Sequence, residues 1–376
     1  MLAVSPGERL RTLRHLLGFT QAELAKVTGV QQSWISEVEG LSREPAIERL
    51  ELIAEVTATP IEFFYIQPKD VPLDSLRFRK KASASKVVTQ RVHALYGESY
   101  RVSDTLISEE GYPTPPLPFA TEEEVTQDRI QELASQAREA LRLAPDKPIP
   151  NLTRAMERAG IAVAPFVLPN DTNGSSSTCG HDGLSYWGGV GETALVGYFP
   201  GQPGDRERFT LAHELGHLVL HTFRPFAMEA EMEAHNFASA LLVPQKRALR
   251  DINERKTLTD YARMKATWGV SIQSLIKLGH TLDLVSEKRY RSLYVQLSAK
   301  GWRKEEPVAV GNESPVLLQK LLYRRFGDRP YAPGSHHLAF PVSLLRSIIP
   351  PPKKQRPKSA GPKNRSLAVV KDISAR

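Results

Sequence analysis

A single cysteine, Cys179, in 376 residues leaves the chain without an intramolecular disulfide framework. No apolar run approaches the ~20 residues that a membrane-spanning helix requires. The first residues, Met1 to Pro6, lack the basic and long apolar regions of a secretory signal. These absences predict a cytoplasmic protein with no membrane partner. What is present is ordinary globular composition, 41% hydrophobic and 24% charged, in a length that accommodates two or three domains.

A net excess of positive charge is also absent from most of the chain, although its overall net charge is +8. Residues 350–376 hold eight Lys and Arg (Lys353, Lys354, Arg356, Lys358, Lys363, Arg365, Lys371 and Arg376) against Asp372, which is nearly all of that excess. This Pro/Lys-rich segment reads as a disordered basic tail, because it offers too little apolar surface to fold alone. Overall basicity therefore does not identify a nucleic-acid partner.

Residues 1–66 read as a compact run of five short helices. Leu10, Leu13, Leu16 and Leu17 recur at helical spacing. Thr20 and Glu23 form a capping-box pattern that opens a second helix. Gly29-Val30 makes a tight turn, and a third helix runs from Gln31 to Glu39. Leu50, Ile53 and Ala54 carry a fourth, and the stretch after Pro60 a short fifth. Residues 67–120 read as linker and helical connector, with a basic element at 77–81 and a helix over about 85–107. A helix over about 121–143 is followed by one opening at Ile149 to Leu152 and ending at Gly160. Strands are expected at 161–164, 183–187 and 194–198, with a Gly/Ser-rich loop at 173–180 before the second. Residues 251–349 read as mixed and mostly helical, and no internal repeat is visible.

The sharpest chemical signal is His213-Glu214-Leu215-Gly216-His217. Two histidines four residues apart share one helix face, where they can take two corners of a tetrahedral zinc site. The glutamate beside the first can serve as a general base on water. Such a motif points to a zinc hydrolase, and among these to a peptidase. The metzincin spacing is excluded, because Leu220 and Phe223 stand where that pattern needs Gly and His. His221 shares the face, but three ligands spread over ~12 Å of helix cannot hold one ion, so it is expected to pack or to hydrogen-bond. The third ligand is expected from the helix at 229–242. Glu233 borders its apolar face in line with Phe237 and Leu241, whereas Glu229 and Glu231 read as solvated charges. His235 is open to a hydrogen-bonding role near the metal or to a structural one, and Arg208 to binding substrate carbonyls or, in preference, to a structural salt bridge. Gly216 is expected to mark the close approach of a neighbouring element, since it costs about 1 kcal/mol of helix stability against alanine.

Arg208-Phe209-Thr210, Ala212 to His217, Glu233 to Ala238 and Leu241 to Pro244 together resemble the ImmA/IrrE family of metallo-endopeptidases, with further similarity in Asp182 to Trp187. The resemblance covers roughly residues 120–250. It implies a gluzincin-like peptidase domain at 121–250, with His213, His217 and Glu233 as zinc ligands and Glu214 as general base. Members of that family cleave DNA-binding repressors. His235 departs from the Asn that many members carry there.

The run from Thr20 to Gly40 is similar to helix-turn-helix domains of the XRE type found in phage repressors. That likeness implies Gln31, Gln32, Ser33 and Ser36 facing the major groove of double-stranded DNA, and Gln21 at a phosphate. Charge runs against it: residues 1–66 carry six Lys or Arg against nine Glu, and DNA affinity draws heavily on phosphate neutralisation. A homodimer that gathers its arginines, or the element at 77–81, would compensate. Docking onto the similar domain of a target protein is the other use of such a module.

The expected protein is thus α+β: a helix-turn-helix domain, a connector, a peptidase core with a small sheet, a mostly helical region and a basic tail. Its expected function is DNA-binding regulation with zinc-dependent hydrolysis of a repressor or antitoxin-like protein. The alternative is a non-catalytic transcription factor whose peptidase-like domain senses or binds a partner.

Overall fold

The computed structural model describes residues 4–69, 71–72, 86–167, 183–224 and 229–352. The basic element at 77–81, the Gly/Ser-rich loop at 173–180 and residues 353–376 of the tail lie outside the described residues. The protein is α+β, and no helix among the described residues is long and apolar enough to cross a membrane.

Local signals set the first five elements. Helix α1 (Pro6–Leu17) starts with Ser5 accepting from the Glu8 N–H and stops at Gly18, whose φ is 72°. Helix α2 (Gln21–Thr28) has the complete Thr20/Glu23 capping box, and Gly29 closes it in the left-handed region at φ 73°. Gln31 occupies the N-cap position of helix α3 (Gln32–Glu39) without a side-chain capping bond. Helix α4 (Ile47–Val56) and a 3-10 turn (Ile61–Phe64) complete the unit. Leu10, Leu13, Leu24, Ile35, Leu50, Ile53, Phe63 and Phe64 are fully buried at its centre.

Helix α5 (Lys86–Glu109) is the joint of the molecule. Over residues 98–104 it is buried on every side, which places it in the core rather than on a surface. It packs on α1 at one stretch. At another, Tyr96 and Tyr100 donate to the Leu195 and Thr193 carbonyls, at 2.8 and 3.1 Å. The apolar core of the first five elements therefore continues through α5 to one face of the central sheet.

Helix α6 (Gln127–Ala140) is shorter than the expected 121–143, because Thr126 caps it by accepting from the Arg129 N–H. Helix α7 (Leu152–Arg158) leads into the sheet: β1 (Ile161–Pro165), β2 (Gly183–Trp187) and β3 (Ala194–Tyr198) in the order β1-β3-β2. β3 runs parallel to β1 and antiparallel to β2. Strands β1 and β3 are buried on both faces, which explains their uninterrupted apolar sequences. Helix α8 (Gly204–His221) covers the face opposite α5, and α9 (Ala230–Leu242) crosses α8. A Cβ on Gly216 would lie 3.1 Å from the Ala234 carbonyl oxygen and 3.2 Å from its Cα. The glycine costs helix propensity but lets the two backbones meet.

Helices α10 (Gln245–Asp251), α11 (Leu258–Trp268), α12 (Ile272–Thr281), α13 (Glu287–Ala299), α14 (Leu317–Phe326), α15 (Tyr331–His337) and α16 (Val342–Ile348) complete the described chain. The junction of α11 and α12 repeats the local grammar of α2 and α3: a capping box (Thr257/Asp260), a left-handed glycine (Gly269) and a buried valine (Val270). α14 and α16 pack on β1, so the sheet lies between α8 on one side and α5 with α14 and α16 on the other.

Candidate metal centre

Helix α8 aims both motif histidines at one point, with their Nε2 atoms 3.1 Å apart. α9 brings a carboxylate to the same place. Glu231 sets Oε2 at 3.4 Å from His213 Nε2 and Oε1 at 3.4 Å from His217 Nε2. The candidate ligand atoms of His213, His217 and Glu231 all lie within 4.8 Å of one another. His217 is buried, His213 is partly buried, and the Glu231 side chain is 45% exposed. The group thus opens to solvent on the Glu231 side.

Glu233, expected as the third acid, is not in this group. Its carboxylate takes a hydrogen bond from the Arg224 guanidinium at 2.7 Å and lies 2.9 Å from His221 Nε2. The reason is helical geometry. The stripe of α9 that crosses α8 at Gly216 runs through Ala234 and Phe237, and Glu231 lies one turn before Ala234 on that stripe. Residue 233 borders the apolar face at its other edge and meets the C-terminal end of α8. Glu231, expected as a solvated charge, is thus the carboxylate that the fold groups with the two histidines.

Electrostatics match this division. Burial pushes the His217 imidazole down to about 4, against the pull of Glu231, so it is a neutral ring with a lone pair. The neighbouring His213 and His217 imidazoles, each 3.4 Å from one of its oxygens, hold Glu231 well below the usual carboxylate range. Glu233 is lowered to about 2, first by His221 and then, against burial, by Arg224.

Glu214 lies against β2. Ser185 Oγ donates to its Oε2 at 2.7 Å, and a Cβ on Gly183 would come within 2.8 Å of its Cγ. Glycine at 183 is therefore required for Glu214 to lie against the strand. The alternation of a β-strand places 183, 185 and 187 on one face, a signal available in the sequence but not used there for the site. Arg208 forms a 2.7 Å ion pair with Glu313, and His235 packs at a tilt against the Phe209 ring and lies 3.2 Å from Lys277 Nζ.

The donor set fits a divalent cation. Two imidazole nitrogens and a carboxylate converge, and Glu231 Oε2 is buried without a hydrogen-bond partner. That is an uncompensated arrangement unless a cation joins it.

In the N-terminal unit, Gln31, Gln32, Ser33 and Ser36 are exposed along the first turns of α3. Gln21 is half-buried and its amide donates to Glu39 Oε2 at 2.9 Å. Glu39 also receives Arg14 at 2.7 and 2.8 Å. The Gln21 amide, expected at a phosphate, is thus turned inward.

Residues 178–277 match the family described as the IrrE N-terminal-like domain, a peptidase family. Residues 7–62 match a helix-turn-helix domain. The chain thus carries, in order, a segment similar to a helix-turn-helix domain and a segment similar to an IrrE N-terminal-like domain. No curated protein matches the chain. The first match begins just before β2 and ends within α12, so the matched segment contains Ser185, His213, Glu214, His217 and Glu231.

Proposed function

We propose that the chain is a DNA-binding regulator with zinc-dependent endopeptidase activity, cutting a repressor or antitoxin-like protein of the helix-turn-helix kind. The observation that carries the peptidase half is the Glu231 carboxylate spanning the Nε2 atoms of His213 and His217, with Glu214 on the intervening turn. His213, His217 and Glu231 would hold the metal. When bound, zinc supplies Lewis acidity, polarising a carbonyl and acidifying water. Glu214 takes the proton from the attacking water and delivers it to the leaving amine. Ser185 keeps one oxygen of Glu214 hydrogen-bonded and so limits its rotation. Two imidazoles and one carboxylate suit zinc, although manganese tolerates them too.

This reading is tested with helix-turn-helix proteins encoded beside the chain as candidate substrates. The zinc-loaded chain is expected to cleave one of them at a defined bond. A strong chelator is expected to stop cleavage, and added zinc to restore it. Cleavage that persists in the metal-stripped chain would remove the metal from the mechanism.

For DNA, the exposed start of α3 supports Gln31, Gln32, Ser33 and Ser36 as the reading residues. A glutamine paired with adenine contributes about 1–3 kcal/mol of discrimination. Changing Gln31 and Gln32 to Ala is expected to weaken operator binding by about 10- to 100-fold if one or both make such a pair, with nonspecific binding unchanged. Fluorescence anisotropy on operator and scrambled duplexes measures both. Unaltered preference for the operator would leave α3 without a reading role and favour protein docking.

A further inference from the structure

His221, four residues past His217 on α8, and Glu233 on α9 serve no step above, yet they form a continuous chain of polar contacts to the metal centre. His217 Nδ1 lies 2.9 Å from His221 Nδ1, and His221 Nε2 lies 2.9 Å from Glu233 Oε2. Glu233 is in turn held by Arg224 at 2.7 Å, and Arg224 donates to the Glu123 carbonyl at 2.8 Å. The four side chains are buried.

The contacts allow one consistent placement of protons for neutral rings. A carboxylate paired with a guanidinium can only accept, so His221 Nε2 carries the proton that reaches Glu233. A neutral His221 then has a lone pair on Nδ1, so His217 Nδ1 must be the donor. His217 is left with its lone pair on Nε2, the atom that faces His213 Nε2 and Glu231. We propose that His221 and Glu233 are positioning residues, a His-to-His-to-carboxylate relay that fixes the tautomer and ring orientation of His217 for zinc. This rests on the metal reading above. Arg224 anchors the far end of the relay, so a contact about two side chains removed from the ion sets how well one ligand is aimed. Partners of this kind are worth roughly 10- to 100-fold in metal affinity.

The first test needs no variant and no metal. Nitrogen NMR of the metal-free full chain, with labelled histidines, is expected to show His217 protonated on Nδ1 and His221 on Nε2. The opposite tautomer of His217 would overturn the proposal.

The second test is zinc affinity by competition with a chromophoric chelator. His221→Phe, which removes both contacts, is expected to weaken zinc binding by about 10- to 100-fold. His221→Asn, which keeps an acceptor for His217, is expected to recover most of that loss. At saturating cobalt the visible spectrum of His221→Phe and Glu233→Gln should equal that of the unaltered chain, because the ligands are unchanged. Glu231→Gln should alter it. Equal losses for His221→Phe and His221→Asn would reduce His221 to packing. A changed cobalt spectrum in Glu233→Gln would make Glu233 a ligand. Either result overturns the relay while leaving the metal reading intact. Failure of the unaltered chain to bind zinc would instead overturn the metal reading, and the proposal with it.

Discussion

Glu214→Gln is expected to slow peptide-bond hydrolysis by about 10²- to 10⁴-fold, the contribution of a well-placed general base. Zinc affinity and thermal stability are expected to stay close to those of the unaltered chain. Glutamine has the same shape and keeps an oxygen for Ser185 Oγ, which donates to Glu214 at 2.7 Å. It also fits the space that Gly183 leaves beside the strand. What it lacks is the lone pair that takes a proton. Single-turnover cleavage of an identified substrate, with the variant fully metal-loaded, measures the effect on chemistry. An unchanged rate would remove Glu214 from catalysis. The same variant separates the two functional readings. If the chain acts as a non-catalytic transcription factor, the downstream response survives Glu214→Gln, whereas a proteolytic switch loses it.

What the sequence disclosed and what it hid follow from the range of the interactions involved. The helix-turn-helix was legible because its determinants are local: the Thr20/Glu23 box, the left-handed Gly29 and the regular spacing of Leu10 and Leu13. The two motif histidines were legible for the same reason, since a four-residue spacing on one helix settles their shared direction. The choice between Glu231 and Glu233 was different. Both flank the apolar face of α9, and only the crossing of α8 and α9 at Gly216 and Ala234 decides which edge meets the histidines. The inward turn of Gln21 is hidden for a similar reason, because its partner Glu39 is eighteen residues away. Ser185 depends on a strand and a helix meeting across the domain. Helix α5 falls in the stretch read as linker and helical connector, and its sequence carries the charged residues Glu98, Arg101 and Asp104. In the fold they are buried and paired.

That burial leads to the largest stability effect expected outside the site. Glu98→Ala is expected to destabilise the protein by about 3–5 kcal/mol, because it strands buried guanidinium groups. Arg9 on α1 pairs with Glu98 Oε1, and Arg101 donates to Glu98 Oε2 at 2.8 Å. Arg9 also donates to the Phe63 carbonyl at 3.0 Å and stacks on the Phe63 ring, while Arg101 reaches the Leu338 carbonyl at 2.8 Å. One carboxylate thus ties the helix-turn-helix domain, the central helix and the turn before α16 together. Burial alone would raise the Glu98 pKa, but Arg101 and Arg9 more than reverse this and hold it below the ordinary value. The sign of the pH dependence follows: this stabilisation is present above the unfolded-state pKa of about 4.3 and is lost as pH falls through the lower folded-state pKa. Urea denaturation at neutral pH measures the loss, and repeating it in acid should narrow the gap between variant and unaltered chain. Amide exchange is expected to show the failure first in α1, where Arg9 loses its partner. A loss of less than about 1 kcal/mol, with α1 still protected, would mean that the apolar contacts between α1 and α5 hold the domain in place without the ion pair.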